Sequence, residues 1–534
     1  MINRRTFLKT AAAAGTGLIL RPTRLLGSPL SHAADGFAIH PFIEDNPDAV
    51  FIMATAVDVK TNAGAIRSAG LSFGRSVFVG LNVADGGIPL THRVAVKPNL
   101  TCRSRSHPSY TVERSMGIVT DANFVEGIIE SIKELGPAGS QFYLREVNCP
   151  SDFEDGGYWA MAARTGADLR SLNSPVGTIG EENLQWIDVP DGVWFRKIPY
   201  LWPVNAPDTF LLNIAKFKTH GMGMTLCAKN LQGSIASPYQ AHCTKYDANM
   251  NVAAEHINPD GKADILANYN RHVDAGIPRW DRPGSSGGLW QETWASRCLD
   301  NNAVTRAGLH IIEGIYGRDG NFMDGPSDEG LATDYMTNLI IFGKNPFAVD
   351  VIGCWLGGHE PGNFGLFHMA VERNLAATLD PHVIPLYAWS PDGSATLTPL
   401  SDFARTPLKT YYLQRDYDGQ TEEYWHLVDE PYDYPQTFVH RDGSAAPDLA
   451  VLWQNYPNPF NGTTSVRFSL PTAAPVRIEI CNVLGEVVDV IAEGFFGRGS
   501  HLAVWKSGIA PSGLYVCRLL RNGNTICRKM LLLR

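Results

Sequence analysis

The sequence has few cysteines, no excess of positive charge and no long apolar run. Its 534 residues include nine cysteines, an odd number, and no two of them form a Cys-x-x-Cys pair. This pattern argues against a disulfide-built scaffold and against zinc or iron–sulfur sites with the usual spacing. Lys and Arg number 45 against 54 Asp and Glu, so no basic field attracts nucleic acid. No run of about 18 apolar residues is free of charge, and no permanent membrane span is expected.

The composition is otherwise that of a folded protein with several domains. Hydrophobic residues make up 44% of the chain and charged residues 19%, which excludes intrinsic disorder, collagen and coiled coil as global descriptions. A length of 534 residues corresponds to about three to four domains of about 150 residues each. The 51 glycines and 34 prolines predict many turns and long loops.

Residues 1–33 have the composition of an export signal. Arg4 and Arg5 precede Phe7-Leu8-Lys9 and a short Ala-rich and Gly-rich apolar segment, with small residues up to Ala34. The segment resembles a twin-arginine signal peptide. That resemblance implies passage through the twin-arginine translocase and a mature chain that begins near Ala34. A frayed basic terminus is the alternative.

The last part of the chain, residues 452–534, reads as a small β-sandwich. Apolar and polar residues alternate over 466–470 and 476–480, and Asn522-Gly523 is a hairpin signal between two further strands. About six short strands in about 80 residues are typical of an immunoglobulin-like sandwich. The region resembles the type A sorting domain of type IX secretion in four segments, at 454–461, 482–485, 512–515 and 529–533.

This resemblance implies where the protein goes. The type IX secretion machinery would carry it from the periplasm across the outer membrane to the cell surface or the extracellular medium. An adhesion module that stays attached and does no sorting is the alternative. The segment 431–451 is polar and rich in turn residues, and we expect it to be a linker.

Strands and helices alternate in the central region, residues 45–430. The alternation predicts an α/β domain with a mostly parallel sheet and helices on both faces. The stretches near 245–300 and 385–450 lack this alternation of strands and helices, so we expect them to be long irregular insertions or lids over the sheet edge. The strand candidates are 51–57, 93–97, 142–144, 209–214 and 338–342, and the helix candidates are 121–135, 158–164 and 347–356.

Polar residues of the central region gather next to strand ends and helix starts. Because side chains alternate along a strand, Lys97 and Asn99 share one face, and so do Lys216 and Lys218. The carboxyl ends of parallel strands meet at the edge of a sheet where α/β proteins bind ligands. The candidate site residues at this edge are Lys97, Asn99, Lys216, Lys218, His220, Lys229, Asn230 and Asp350.

These segments together resemble the family called domain of unknown function 362. They read KPN at 97–99, KFKTH at 216–220, KNLQG at 229–233 and AVD at 348–350, in the order of the family, and the resemblance covers roughly residues 90–375. The family usually has Asp-Gly where this chain has Glu313-Gly314. Some relatives carry an iron–sulfur domain that this chain lacks. The resemblance implies a fold and a site without implying a reaction.

Four lysines at one sheet edge predict a bound anion. Close ammonium groups repel each other by about 1–4 kcal/mol per pair, depending on the dielectric, unless an anion such as a carboxylate, a phosphate or an acidic cofactor lies between them. In the alternative, each lysine pairs with an acid such as Glu146 or Asp350 and stabilises only loops. We assign substrate binding to Lys97, Asn99, Lys216 and Asn230.

Catalysis is assigned to Lys218, His220, Lys229 and Asp350. A desolvated lysine among other cations has a lowered pKa and can act as a base or a nucleophile. Asp350 would orient a lysine or hold a metal. The sequence leaves the metal and the cofactor open. His220 and His242 with Asp350 or Glu146 could form a metal site, but they lack the usual spacing, which favours hydrogen-bonded loop histidines.

Three functions remain open at this point. The first is an exported enzyme that acts on an anionic small molecule, with or without a metal or cofactor. The second is a cell-surface protein that binds an anionic glycan without catalysis, for which the aromatic residues near 280–294 and 411–425 could stack on sugars or serve only as packing. The third is a redox accessory protein, suggested by the iron–sulfur relatives.

The final hairpin makes a prediction about cysteines. With Asn522-Gly523 as a two-residue turn, Arg518 faces Cys527, and Cys517 faces Arg528. The two cysteines are then offset by one residue and point to opposite faces of the sheet. We therefore predict that they are not bonded to each other.

Overall fold

The computed structural model describes most of the chain from residue 34 onwards. The predicted signal at 1–33 and most of the predicted linker, 435–449, lie outside the described residues. None of the helices in the described part combines the length and hydropathy that a membrane span requires. The described ranges are 34–101, 116–147, 150–224, 226–248, 250–280, 286–411, 424–434, 450–453, 455, 458–470, 474–496, 499–521 and 524–533.

The central region is built from short strands and helices in alternation. Its strands are β1 (Gly36–Ile39), β2 (Val50–Ala54), β3 (Phe78–Gly80), β4 (Ile88–Pro89), β5 (Arg93–Pro98), β6 (Phe142–Leu144), β7 (Asp168–Leu169), β8 (Leu184–Asp188), β9 (Lys197–Leu201), β10 (Thr209–His220), β11 (Gly223–Met224), β12 (Ala307–Arg318), β13 (Asp334–Gly343), β14 (Leu386–Trp389) and β15 (Ala395–Leu397). Its helices are α1 (Pro41–Glu44), α2 (Ala63–Val77), α3 (Ala122–Lys133), α4 (Pro150–Asp155), α5 (Tyr158–Thr165), α6 (Leu226–Asn230), α7 (Gly261–Asp274), α8 (Ser286–Val304), α9 (Pro346–Leu356) and α10 (Gly365–Glu372).

One mixed sheet organises this region. Its strand order is β15-β14-β2-β13-β12-β10-β5-β6-β7, and β11 pairs with β10. Strands β12, β10, β5, β6 and β7 are parallel to one another, as are β14 and β2, whereas β13 and β15 run antiparallel to their neighbours. The predicted α/β fold with a mostly parallel sheet is confirmed.

The register of the sheet places site residues next to each other. Lys97 of β5 lies opposite Asn213 of β10, and Lys216 of β10 lies opposite Glu313 of β12. Strand β10 continues to His220, six residues beyond the predicted end at 214. Because the strands are parallel, their polar carboxyl ends meet at one edge of the sheet.

Helix α3 shows why the local sequence folds as predicted. The Asp121 carboxylate accepts a hydrogen bond from the Asn123 amide at 2.8 Å and caps the start of the helix. A Cβ at Gly127 would lie 2.2 Å from the Arg67 carbonyl oxygen, so glycine permits close packing against α2. The buried stripe of the helix includes Phe124, Ile128 and Ile132.

The expectation of irregular insertions at 245–300 and 385–450 is wrong for much of the first stretch and for the beginning of the second. Residues 261–274 and 286–304 are helices α7 and α8, and β14 and β15 extend the central sheet. Most of α8 is buried, including its polar residues Glu292, Arg297 and Asp300. A helix that buries polar and apolar residues alike has no amphipathic period, which is why the sequence pattern missed it.

The C-terminal region forms two antiparallel sheets around an apolar core of its own. Strands β16, β17 and β20 pair in that order, as do β19, β18, β21 and β22. This arrangement agrees with the predicted β-sandwich. The strands are β16 (Val451–Leu452), β17 (Thr463–Leu470), β18 (Ala474–Cys481), β19 (Val487–Phe496), β20 (Gly499–Lys506), β21 (Gly513–Arg521) and β22 (Asn524–Leu532).

The register of the last two strands confirms the cysteine prediction. Arg518 pairs with Cys527, and Cys517 pairs with Arg528. Both cysteines are free, with Cys517 buried and Cys527 exposed. The predicted turn residues, 522 and 523, lie outside the described part of the chain.

Candidate functional site

A polar cavity of about 230 Å³ opens at the carboxyl ends of β5 and β10. We call it the lysine cavity. Its wall also contains Glu146, which follows β6, and Gln232 and Gln240. Of the predicted site residues, five line the cavity: Asn99, Lys216, Lys218, Lys229 and Asn230.

Lys97 lies directly behind this wall and forms an ion pair with Glu146. Its Nζ also donates to the Pro98 carbonyl at 2.6 Å and to Asn230 Oδ1 at 3.2 Å. Burial lowers the pKa of Lys97 and raises the pKa of Glu146, and the attraction between the two opposes both shifts. The pair therefore has a high desolvation cost at the edge of a cavity.

Asn230 is held in place by several hydrogen bonds. Its Nδ2 donates to the Lys97 carbonyl at 3.1 Å and to Asn213 Oδ1 at 2.8 Å, and its Oδ1 accepts from Asn99 Nδ2 at 3.2 Å. The Asn99 main chain is fixed in turn, because its amide donates to Thr120 Oγ1 at 2.9 Å. These bonds join α6 to the end of β5, and they hold one wall of the cavity rigid.

Lys216 forms a second buried ion pair. Its Nζ lies 2.6 Å from Glu313 Oε2 and 3.4 Å from the centre of the Tyr316 ring. Burial raises the pKa of Glu313, against the pull of Lys216. The Tyr316 hydroxyl donates to Asp121 Oδ2 at 2.8 Å. Glu313 thus neutralises a cavity lysine.

Lys229 and His220 contact each other beside Lys218. The Lys229 Nζ lies 3.1 Å from His220 Nε2. Burial, followed by the charges of Lys229 and Lys218, lowers the pKa of His220 well below its usual value, so a neutral imidazole lies against the Lys229 side chain. The Phe322 ring meets the His220 ring edge-on at 5.3 Å and lies 5.2 Å from the Lys218 Nζ.

Asp350 lies outside the cavity wall. Its two carboxylate oxygens accept hydrogen bonds from the amides of Cys227 at 2.7 Å and Ala228 at 2.8 Å. Burial raises its pKa to about 8. The carboxyl group therefore caps the start of α6, and it reaches the site through the helix that carries Lys229 and Asn230.

Gln232 and Gln240 line the cavity and were not identified by sequence reasoning. Glu146 pairs with Lys97, as the alternative for the lysines expected, and Glu313 pairs with Lys216. Nothing in the local pattern indicated the two glutamines. Across the described residues, no group of three or more His, Cys, Asp or Glu side chains is placed to hold a metal ion.

Comparisons with known proteins agree with this architecture. Residues 94–355 match the family described as Domain of unknown function (DUF362), and residues 454–532 match the Secretion system C-terminal sorting domain. No curated protein matches the chain. A crystal structure of an engineered protein is 11% identical over 90% of this chain and 99% of that chain, with a TM-score of 0.14, which is too low to indicate a shared fold.

The two family matches correspond to the two parts of the structure. The sheet edge with the lysine cavity lies within residues 94–355, and strands β17 to β22 lie within residues 454–532. The sorting domain assigns the protein to export, with the cell surface or the extracellular medium as its destination. The chain is a secreted protein that carries a DUF362 domain followed by a type IX sorting domain.

Proposed function

We propose that the protein is a secreted enzyme that acts on an anionic small molecule bound in the lysine cavity. The observation that carries this proposal is the placement of Lys218 and Lys229 around one polar cavity, beside Asn99. Ammonium groups that line one concave site are suited to bind a carboxylate or phosphate.

The charge balance of the cavity supports an anionic ligand. Lys97 and Lys216 are each neutralised by a glutamate. Lys229 instead contacts the neutral His220 and forms no ion pair within the described part of the chain. Positive charge at this edge stands out in a protein whose formal net charge is −9, and such a local field attracts anions.

The arrangement supplies the groups that acid–base catalysis needs. Lys218 and Lys229 would hold the anion and stabilise negative charge that develops on it. His220 positions the Lys229 ammonium group. Glu146 lines the cavity, its pKa is raised by burial, and its partner is Lys97, so it would accept or return a proton of the substrate. Asp350 acts as a positioning residue through α6.

Anion binding is tested by calorimetric titration with inorganic phosphate and with acetate. We expect Lys218→Met and Lys229→Met each to weaken binding about ten- to hundred-fold, because each removes one charge-assisted contact. The matched control is Lys262→Met, an exposed lysine on α7, which should leave affinity unchanged. Equal affinities in all four proteins would overturn the proposed site.

Catalysis is tested by deuterium exchange. A panel of small carboxylic acids is incubated with the protein in D₂O, and incorporation at carbon is followed by NMR. We expect exchange with the wild type and a strong loss with Glu146→Asp, which keeps the charge but withdraws it by one methylene. Exchange that is equal in the two proteins would remove Glu146 from the proposed reaction.

A group of aromatic side chains favours a second candidate function, glycan binding without catalysis. Tyr411 and Tyr424 stack with ring centres 5.3 Å apart, and Trp425 meets both rings edge-on. Tyr424 is 53% exposed, which suits stacking against sugar rings. Binding of an oligomer of a uronic acid that Tyr424→Ala abolishes, without any exchange at carbon, would favour this candidate over the enzyme.

A further inference from the structure

Arg297 of α8 is a buried arginine with one edge of its guanidinium group unused. Its Nη1 donates to the carbonyls of His242 at 3.2 Å and Thr244 at 2.6 Å, and the group stacks over the Trp194 ring at 4.2 Å. Its Nε and Nη2, which form the opposite edge, have no hydrogen-bond partner. The side chain is 0% exposed, so water at the surface does not solvate this edge.

Other arginines of the same protein show what this edge binds. Arg164 uses Nε and Nη2 to hold the Glu126 carboxylate, and Arg318 uses the same two atoms to hold Asp334. This side-on geometry matches the two oxygens of a carboxylate. Arg297 presents the same pair of donors without a carboxylate of the described residues between them.

Asp300, the acid nearest to Arg297 along α8, has other partners. The Asp300 carboxylate accepts hydrogen bonds from the amides of residues 193–195 at 2.7 to 2.9 Å. It also forms an ion pair with Arg373 at 2.8 Å. Asp300 therefore does not serve as the counter-ion of Arg297, although its charge helps to keep the arginine protonated.

A second unpartnered group lies beside Arg297. His242 is 0% exposed, and neither of its ring nitrogens has a hydrogen-bond partner. Burial, with the nearby charges of Arg297 and Lys229, lowers its pKa to about 3, so the ring is neutral and has one N–H to donate. Buried donors without acceptors each cost about 1–3 kcal/mol, and two side by side indicate a site built for a bound acceptor.

This pair of groups adjoins the lysine cavity. Gln240 and Ala241 line the cavity, and His242 follows them in the chain. Helix α8 also contacts α6, because Asn302 Nδ2 donates to the Ala228 carbonyl at 3.0 Å. Helix α8, which carries Arg297, thus packs against helix α6, which carries Lys229.

We infer that Arg297 and His242 form a second, buried carboxylate subsite, and that the ligand of the lysine cavity is a dicarboxylate. One carboxylate is held by Lys218 and Lys229, and the other by Nε and Nη2 of Arg297 with a hydrogen bond from His242. This inference rests on the proposed function, since it extends the ligand of the same cavity.

The test compares each dicarboxylate with its half-amide in the unmodified full-length protein. Malonate, succinate, glutarate and adipate are titrated against malonamate, succinamate, glutaramate and adipamate, which have nearly the same shape and one charge fewer. At the chain length that spans the two subsites, we expect the dicarboxylate to bind at least ten-fold more tightly. Equal affinities within all four pairs would overturn the inference, and this result needs no variant to fold.

Variants separate this inference from the proposed function. Arg297→Gln should abolish the preference for the dicarboxylate while leaving half-amide binding unchanged, and Lys229→Met should weaken both ligands. The matched control is Arg164→Gln on α5, which removes the same two donor atoms, Nε and Nη2, from an ion pair with Glu126. It should change the affinity neither for the dicarboxylates nor for the half-amides. If the half-amides bind and depend on Lys229 but no dicarboxylate is preferred, only the second subsite fails. If none of the eight ligands binds, the proposed function fails with it.

Discussion

At the scale of single residues, the buried Lys97–Glu146 ion pair ties the stability of the protein to the site. Both side chains are nearly inaccessible, at 1% and 5% exposure. We expect Glu146→Gln to lower the free energy of unfolding by about 3–5 kcal/mol, because it leaves the Lys97 ammonium group buried without a counter-ion. Urea denaturation measures this change.

An exposed ion pair provides the control for that experiment. Arg75 and Glu134 are 55% and 46% exposed, and Glu134→Gln should change stability by less than about 1 kcal/mol because solvent screens the pair. The double variant Lys97→Met/Glu146→Leu should recover most of the loss, since it removes both charges. A double variant as unstable as Glu146→Gln would show that the hydrogen bonds of Lys97, rather than its charge, stabilise this wall.

A second buried pairing predicts how stability depends on pH. The His272 ring lies between Glu292 Oε2 at 2.8 Å and Glu372 Oε2 at 2.9 Å. Burial lowers the pKa of His272, but its hydrogen bonds to the two glutamates outweigh burial and raise the pKa to about 9. The folded state therefore holds a proton that the unfolded state releases near pH 6.5.

The stabilisation by His272 is complete below about pH 6.5 and is lost as the pH rises through 9. With solvent screening taken into account, this stabilisation should amount to about 2 kcal/mol. The screening matters because Glu372 is 44% exposed. Thermal denaturation between pH 6 and 10 should show this loss in the wild type and not in His272→Gln. His382→Gln, at an exposed position, should keep the wild-type profile, and an unchanged profile in His272→Gln would contradict the assignment.

At the scale of elements, the short helix α6 depends on Asp350 for its position. We expect Asp350→Ala to lower stability by about 1–3 kcal/mol, because the buried amides of Cys227 and Ala228 lose their acceptors. It should also weaken phosphate binding, since Lys229 and Asn230 move with the helix. Asp350→Asn keeps one acceptor oxygen and should recover part of both losses.

The control for this prediction is another helix cap. Asn345 Oδ1 accepts hydrogen bonds from the amides of Phe347 at 2.9 Å and Ala348 at 3.1 Å at the start of α9. Asn345→Ala should cost about 1 kcal/mol of stability and leave phosphate affinity unchanged. If both variants weaken binding equally, the effect of Asp350 is a general loss of stability and not a positioning of α6.

The elements differ in how far the sequence predicted them. Strands β5 and β10 and helix α3 have regular periods and clear end signals, and their lysines and asparagines meet at the predicted edge. Helix α8 was missed because it is buried on several sides and carries Glu292, Arg297 and Asp300 inward. The Lys216–Glu313 contact depends on the register between β10 and β12, which only the assembled sheet determines.

At the scale of the whole molecule, the sorting domain and the lysine cavity lie in different parts of one chain. The cavity and its supporting pairs lie between residues 97 and 350, within the DUF362 match. The sorting match begins at residue 454. Such a division lets the secretion machinery recognise a small β-sandwich without contacting the ligand site. It also predicts that the two parts fold separately.

Removal of the sorting domain tests that separation. Its apolar core, from Leu452 to Leu532, contains no residue of the three clusters that build the rest of the protein between Phe37 and Val428. A chain that ends at about Pro447 should therefore unfold within a few degrees of the main transition of the full-length protein in calorimetry. As a control, Trp505→Ala should weaken only the sandwich, because Trp505 is 2% exposed within that core. A large fall in the melting temperature of the shortened chain would mean that the two parts stabilise each other, and the sorting domain would then be a structural component of the whole protein.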